Sequence, residues 1–208
     1  MVILLYGSDS YRRLKRLKKL LGAYPEKNPQ AMVGRFNFGD SAENGSAEQF
    51  QEFKAFIQNQ PLFSPKKLAI LENVWGGSEN SRSRGSRKTK TSATELKKIL
   101  EAAISSPDLT ILLFEEKSPP VAFDFLFKKP AIAEQFTELK GQKFKLFIEN
   151  EARELEIAIQ EDALDLLTAN FKGDGWGAAT EIAKLRWLRG EADSRPVSLI
   201  ELMAVSGY

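Results

Sequence analysis

The fold is indicated first by the opening stretch Val2-Ile3-Leu4-Leu5-Tyr6-Gly7. A continuous apolar run that ends at a glycine is typical of a strand buried on both faces of a parallel sheet. Similar runs follow at residues 67–71 and 109–114, and segments with helical apolar spacing lie between the runs. Strands that alternate with helices in this way predict an α/β fold, a parallel sheet with helices on both sides.

The turn after the first strand is where a P-loop protein would hold the phosphates of a nucleotide. That motif requires Gly-x4-Gly-Lys-Ser/Thr, because backbone amides wrap the phosphates and a lysine reaches them. Here Gly7 is followed by Ser8-Asp9-Ser10-Tyr11-Arg12-Arg13, without a second glycine or a Gly-Lys pair. The carboxylate of Asp9 would also repel phosphate. We therefore predict that this turn binds no nucleotide and that the protein uses no cofactor.

The composition of the chain excludes several kinds of catalytic and metal-binding site. The chain has 208 residues, a net charge of +2, and neither cysteine nor histidine. Disulfides, thiolate nucleophiles, histidine metal sites and histidine bases are therefore excluded. The low net charge means that any argument for nucleic-acid binding has to be local. The first residues form a strand rather than a signal peptide, and no apolar run reaches membrane-spanning length, so we expect a cytoplasmic protein.

The remaining pattern predicts two domains. A second strand is expected at residues 32–38, and a fifth at residues 135–137 after a short helical segment. Capping boxes at Ser46/Gln49 and Ser92/Glu95 predict the starts of two helices. From residue 139 the pattern is helical throughout. We therefore divide the chain into an α/β domain, residues 1–139, and a small helical lid, residues 140–208.

An apolar pair stands where a loop is expected, in the stretch Gln60-Pro61-Leu62-Phe63-Ser64 between a helix and the third strand. Leu62 and Phe63 could pack under the edge of the sheet as core. Alternatively, the pair is presented as a hydrophobic plug for a pocket on a partner protein. The residues alone leave both interpretations open.

Basic residues form two local clusters. The first helix carries arginines and lysines opposite its apolar stripe, namely Arg12, Arg13, Lys15, Arg16, Lys18 and Lys19. The Gly/Ser-rich stretch 76–90 carries Arg82, Arg84, Arg87, Lys88 and Lys90. Each cluster is either solvated surface or a contact with DNA or another acidic partner.

Five stretches, spread over nearly the whole chain, form one further pattern. They are Leu4-Leu5-Tyr6-Gly7-Ser8-Asp9-Ser10-Tyr11, Pro61-Leu62-Phe63-Ser64-Pro65-Lys66-Lys67-Leu68, Thr110-Ile111-Leu112-Leu113-Phe114, Phe136-Thr137-Glu138-Leu139-Lys140-Gly141 and Gly173-Asp174-Gly175-Trp176 with Glu181-Ile182-Ala183-Lys184-Leu185. By the order and spacing of these stretches, the chain resembles the delta subunit of the bacterial DNA polymerase III clamp loader, an AAA+-like protein with a non-functional phosphate loop.

The resemblance implies a five-stranded AAA+-like sheet, a helical lid and a role in DNA replication. It implies that the protein binds the ring-shaped sliding clamp (the beta subunit) and holds one interface open without hydrolysing ATP. Leu62 and Phe63 match the family's clamp-binding pair, and Gln60 and Pro61 would flank it. The implied partners are the gamma/tau and delta prime subunits and primer-template DNA. The family also has a helical collar domain, and we expect the sequence up to Tyr208 to be too short to hold it, either because the chain is a piece of a longer protein or because the protein is a shortened form.

Two other functions remain open at this point. An enzyme of this layout would be a divergent nucleoside triphosphatase with Lys15 or Lys18 at the phosphates and Glu72 as the base; the missing motif argues against it. A nucleic-acid-binding module would use the arginines of the first helix and of the stretch 76–90. It predicts DNA affinity that falls steeply with salt.

Overall fold

The computed structural model describes residues 1–39, 45–59, 66–75, 88–189 and 195–206. The chain separates into two compact units, Met1–Phe136 and Thr137–Tyr208, which we call the sheet unit and the helical unit. This division falls three residues before the boundary expected after Leu139.

In the described residues, the sheet unit is built on a five-stranded parallel sheet in the order β2-β3-β4-β1-β5. Its strands are β1 (Val2–Tyr6), β2 (Met32–Asn37), β3 (Lys67–Glu72), β4 (Leu109–Glu115) and β5 (Ile132–Gln135). The central strands β3, β4 and β1 are the continuous apolar runs of the sequence. Because both of their faces are buried, their central positions favour apolar side chains, and the charged residues Lys67, Glu72 and Glu115 stand at strand ends. The predicted parallel α/β architecture is confirmed.

Helices cover both faces of the sheet. On one face lies α1 (Ser10–Lys27), with Leu17 packed on Ile3, Leu5, Leu68, Ile70 and Leu112. The other face carries α2 (Gly45–Gln58), α3 (Lys88–Ile104) and a 3₁₀ segment (Val121–Phe127). In α2 the phenylalanines Phe50 and Phe53 are buried in the core on this face.

Predicted boundaries were wrong at one strand and two helices. The fifth strand was expected at residues 135–137, but β5 is Ile132–Gln135. It is a short edge strand with exposed apolar side chains, so its sequence lacks the apolar run that marks the buried strands. The helices expected from Ser46 and Ser92 begin at Gly45 and Lys88, so both serines lie inside their helices.

The helical unit contains α4 (Gln142–Glu154), α5 (Glu161–Phe171), α6 (Gly175–Arg189) and α7 (Leu199–Ser206). Its buried apolar side chains come from each of these helices and include Phe144, Ile148, Leu167, Ile182 and Leu202. Asp174 caps α6, since its Oδ1 accepts from the amides of Trp176 and Gly177, both at 3.0 Å. Within the described residues, none of the helices is long and apolar enough to cross a bilayer.

Candidate functional site

The turn between β1 and α1 is closed by hydrogen bonds within the chain. The amide of Gly7 donates to the carbonyl of Glu115 at 3.2 Å, and the amide of Asp9 donates to the carbonyl of Phe136 at 3.0 Å. The Asp9 carboxylate caps α1 by accepting from the amide of Arg12 at 3.0 Å. In a phosphate loop, backbone amides of this turn donate to the phosphates. Here the amides of Gly7 and Asp9 donate to carbonyl oxygens of the protein instead.

Gly7 allows the backbone to pass very close to its neighbour. Its φ is +127°, and a Cβ built there would lie 2.1 Å from the carbonyl oxygen of Phe136. No side chain fits at that distance, and the backbone conformation favours glycine. The glycine that ends the first strand is thus required by the approach of the chain just beyond β5.

Arg13 lies inside the protein, where the sequence analysis had placed it on the exposed basic face of the first helix. Its side chain is 8% exposed. One guanidinium nitrogen donates to the carbonyl oxygens of Gly7 and Glu115, the latter at 2.6 Å. The guanidinium also lies 4.6 Å from the ring centroid of Phe114. These contacts give Arg13 a structural role in joining the starts of two loops.

Arg12 and Arg16 both face carboxylates of the sheet unit. Arg12 contacts Asp9 at 3.2 Å. Arg16 binds Glu134 of β5 with two nitrogens, at 2.8 and 2.6 Å. A two-pronged contact of this kind has a defined geometry, so Arg16 ties α1 to the edge of the sheet. The role of Arg12 and Arg16 in binding DNA or a partner stays a prediction.

The acidic end of β3 is also engaged. Glu72 is buried and receives a hydrogen bond from Arg35 of β2 at 2.6 Å. Asn73 has a φ of +55° and its side-chain amide donates to Asn37 at 2.8 Å. No group of acidic side chains within the described ranges is arranged to hold a metal ion. The contacts of Glu72 are those of a structural ion pair between neighbouring strands.

Glu115, at the end of β4, is a buried carboxylate that the sequence analysis did not single out. It is 2% exposed, and its carboxylate accepts from the amides of Val74 at 2.8 Å and Trp75 at 3.4 Å. Burial raises the pKa of Glu115 to about 7, and the two amides and Arg13 oppose that rise. This one residue therefore joins β4, the turn after β1 and the chain that leaves β3.

The buried Glu115 predicts a pH dependence of stability. Its ordinary pKa is 4.5 and its folded pKa is about 7, so the unfolded chain ionises first as the pH rises. Between these values the contribution of Glu115 to stability falls by about 1.4 kcal/mol per pH unit. We expect the free energy of unfolding of the wild type, minus that of Glu115→Gln, to decrease from pH 4.5 to 7.

The measurement is unfolding in urea, monitored by the fluorescence of Trp75. Trp75 reports on the sheet unit, where its ring centroid lies 5.4 Å from that of Phe123. Replacing Trp176 and Trp187 by phenylalanine in every variant leaves Trp75 as the sole tryptophan. The matched control is Glu116→Gln, which removes a carboxylate from the exposed neighbour and keeps the buried one. The difference from the wild type should depend more strongly on pH for Glu115→Gln than for this control. A difference between wild type and Glu115→Gln that stays constant with pH contradicts the prediction.

The predicted clamp-binding residues Gln60, Pro61, Leu62 and Phe63 lie outside the described residues, as do Arg82, Arg84 and Arg87. The structure does describe the residues on either side of the stretch 60–63, at the end of α2 and the start of β3. The ammonium of Lys67 donates to the carbonyls of Phe56 at 3.0 Å, Ile57 at 2.8 Å and Asn59. Lys67 thereby caps the C-terminal end of α2 from the first residue of β3 and sets the distance between these two elements.

This fold is AAA+-like: a parallel five-stranded sheet with helices on both faces, accompanied by a helical unit. Among solved structures, the DNA clamp loader delta protein (YqeN) of Bacillus subtilis matches with a TM-score of 0.59 and 19% identity. The match covers 98% of this chain and 57% of that one. No model of a known protein family matches the sequence, and no curated protein is significantly similar to it.

The Holliday junction branch migration motor RuvB of Thermotoga maritima has the same fold. It matches with a TM-score of 0.56 and 10% identity, over 99% of this chain and 60% of RuvB. A second structure, of a RuvB variant from the same organism, matches equally well, with a TM-score of 0.56 and 11% identity over the same shares. The chain thus spans less than two thirds of the length of each of these proteins.

Proposed function

We propose that this protein is a delta-type subunit of a clamp loader, which binds a sliding clamp and holds one interface of the ring open. The observation that carries the proposal is the structural match to the Bacillus subtilis clamp loader delta protein over 98% of the chain. The five sequence stretches that resemble the delta family lie in both units, from β1 to α6. Their distribution supports a delta-like role in preference to that of a motor such as RuvB.

In this proposal the subunit does not hydrolyse ATP. The closed turn after β1 supports this part, because its amides at Gly7 and Asp9 donate to carbonyls of the chain. Glu72, the residue that would act as base in a triphosphatase, is held by Arg35. An ATP molecule would have to break several of these contacts before the loop could wrap its phosphates.

Clamp binding is assigned to Leu62 and Phe63, flanked by Gln60 and Pro61. The pair occupies the short connection between α2, which ends at Gln58, and β3, which begins at Lys67. A plug is held in place best when its ends are rigid, and the contacts of Lys67 provide such an anchor. Burying a leucine and a phenylalanine stabilises a complex by roughly 1.5–3 kcal/mol each before the costs of association are subtracted.

The other implied partners follow from the same proposal. They are the gamma/tau and delta prime subunits of the loader, and primer-template DNA within the assembled complex of DNA polymerase III in the cytoplasm. The proposal requires no cofactor. Arg12 and Arg16 remain candidates for contacts with DNA or a neighbouring subunit, whereas Arg13 is buried.

The proposal is tested by measuring binding of the purified chain to the sliding clamp of its source organism. We expect Leu62→Ala/Phe63→Ala to weaken binding by about 30-fold or more, the loss expected when an interface anchor worth about 2 kcal/mol is removed. The matched control is Phe127→Ala/Leu188→Ala, which truncates a phenylalanine and a leucine that are 44% and 55% exposed. The control should bind as the wild type does.

Two outcomes would contradict the proposal. If the folded wild type does not bind the clamp, the delta-type function is wrong. If the double variant binds as tightly as the wild type, the assignment of Leu62 and Phe63 is wrong. A parallel titration with primer-template DNA addresses the nucleic-acid-binding alternative: affinity for DNA alone that falls steeply with salt, without affinity for the clamp, would favour it.

A further inference from the structure

The strand β5 lies at one edge of the sheet, and β1 is its one neighbour among the described strands. Directly after β5, the amide of Phe136 donates to the carbonyl of Tyr6 in β1 at 2.7 Å. The backbone groups of successive residues in a strand point to opposite sides of it. Those of Glu134 therefore face β1, as those of Phe136 do, and those of Ala133 and Gln135 face outward, where no described strand lies.

A pocket of about 620 Å³ opens beside this outward edge, and all of its lining residues belong to the sheet unit. Ala133 pairs with Leu4 of β1, whose side chain lies in the core beneath the 3₁₀ segment, so the side chain of Ala133 is on that face. There the rings of Phe127 and Tyr6 meet edge to face, with centroids 5.7 Å apart, and line the pocket. Because alanine is small, position 133 leaves space for an apolar side chain of a neighbouring strand.

The mouth of the pocket is basic. Lys129 lines it and Lys128 precedes it in the chain; both are exposed, and within the described residues neither ammonium group has a carboxylate partner. The carboxylate of Glu134 lies on the opposite face of the sheet, where it binds Arg16 at 2.8 and 2.6 Å. None of the described lining residues is acidic. The charge at this edge therefore complements an acidic partner.

We propose that the outward edge of β5 binds an extended, acidic segment of a partner protein that carries an apolar side chain. The segment pairs with the backbone of Ala133 and Gln135, places its apolar side chain in the pocket and brings carboxylates to Lys128 and Lys129. A row of outward amides and carbonyls suits an extended backbone, which offers the complementary row. This inference goes beyond the proposed function and does not depend on it, since it uses none of the residues assigned to clamp binding.

The test uses a pool of immobilised synthetic heptapeptides, with Asp or Glu at both ends and Val, Leu or Phe at alternate central positions. A matched pool has Lys in place of Asp and Glu. We expect the wild type to bind the acidic pool at least about 5-fold more tightly than the basic pool at low salt. Lys128→Glu/Lys129→Glu should reverse this preference, a result that a loss of stability does not produce.

Proline substitution tests the backbone pairing separately from the charge. Ala133→Pro removes an outward amide and keeps the bonds to β1, and it should weaken binding to the acidic pool by about 5-fold or more. The matched control is Val33→Pro in β2, at the opposite edge of the sheet. The amide of Val33 also faces outward, because that of Met32 donates to the carbonyl of Lys66. The control should stay within about 2-fold of the wild type, since the two edges are far apart.

Equal binding of the two pools by the wild type overturns the proposal, and so does equal weakening by the two proline variants. Binding of the acidic pool that Ala133→Pro leaves unchanged overturns the backbone pairing. Sedimentation over a range of concentrations tests a second copy of this chain as the occupant, and dimers that Ala133→Pro abolishes would overturn the proposal in favour of self-association. Urea unfolding establishes that each variant is folded; if Ala133→Pro is not, the charge reversal at the exposed Lys128 and Lys129 decides.

Discussion

Replacing Gly7 with alanine is expected to destabilise the sheet unit by about 2–6 kcal/mol, the sum of backbone strain and overpacking. The φ of +127° disfavours any residue with a Cβ, and the added atom would lie 2.1 Å from the carbonyl oxygen of Phe136. Either the turn after β1 or the chain beyond β5 has to move. A movement of that kind would disturb the bonds that Gly7 and Asp9 donate to Glu115 and Phe136.

The measurement is urea unfolding with Trp75 as the sole tryptophan, as for Glu115. The control is Gly22→Ala, because Gly22 lies within α1 and an added Cβ would meet nothing within 4 Å. Alanine is a better helix former than glycine, so this variant should be more stable than the wild type by about 0.5–1 kcal/mol. The prediction fails if the two alanine variants change stability in the same direction.

The second large effect is expected for Phe53→Ala. The Phe53 ring is fully buried and contacts the rings of Phe36 and Phe50, with centroids 5.5 and 6.4 Å away. Removing a buried phenylalanine leaves a cavity and costs about 3–5 kcal/mol. Since whole domains are stable by about 5–15 kcal/mol, this variant should unfold at much lower urea than the wild type.

The matched control is Phe127→Ala, whose ring is 44% exposed and contacts Tyr6. We expect it to cost less than half as much as Phe53→Ala, because less apolar surface is removed from contact with the core. Equal losses in the two variants would show that the packing between α2 and the sheet contributes little to stability.

Much of the fold could be predicted because the central strands are buried on both faces. Residues 2–6, 68–71 and 111–114, which form most of β1, β3 and β4, are apolar without interruption, and the intervening helices have one apolar stripe each. The edge strand β5 was misplaced by three residues because Ile132 is 44% exposed and its pairing partner is distant in sequence. Register at a sheet edge depends on neighbours that a local pattern does not contain.

The closed turn after β1 could be predicted only in part. The missing P-loop motif was evident, but the partners of the turn, Glu115 and Phe136, lie more than 100 residues away in sequence. Arg13 was wrongly grouped with the exposed basic residues of the first helix, because the assignment considered its charge and not its position relative to the apolar stripe. It stands one turn before the buried Leu17, and that i, i+4 spacing was the signal for a buried guanidinium.

Two other residues were missed for similar reasons. The sequence analysis included Lys67 only as the first residue of an apolar run, whereas its ammonium group caps the end of α2. Glu115 was not singled out, although its carboxylate accepts from the amides that follow β3. In both cases a charged group stabilises backbone groups of another element, which only the folded arrangement brings near.

The strand order has a consequence for synthesis of the chain. β1 is made before the other four strands of the sheet, but its neighbours are β4 and β5, and Val2 pairs with Ile111. At about 5–20 residues per second, the ribosome needs roughly 5–20 s to reach the partner of the first strand. During that interval the nascent apolar stretch has no native neighbour in the sheet. The amino-terminal run that indicates the fold most clearly is thus a segment that a chaperone would meet early.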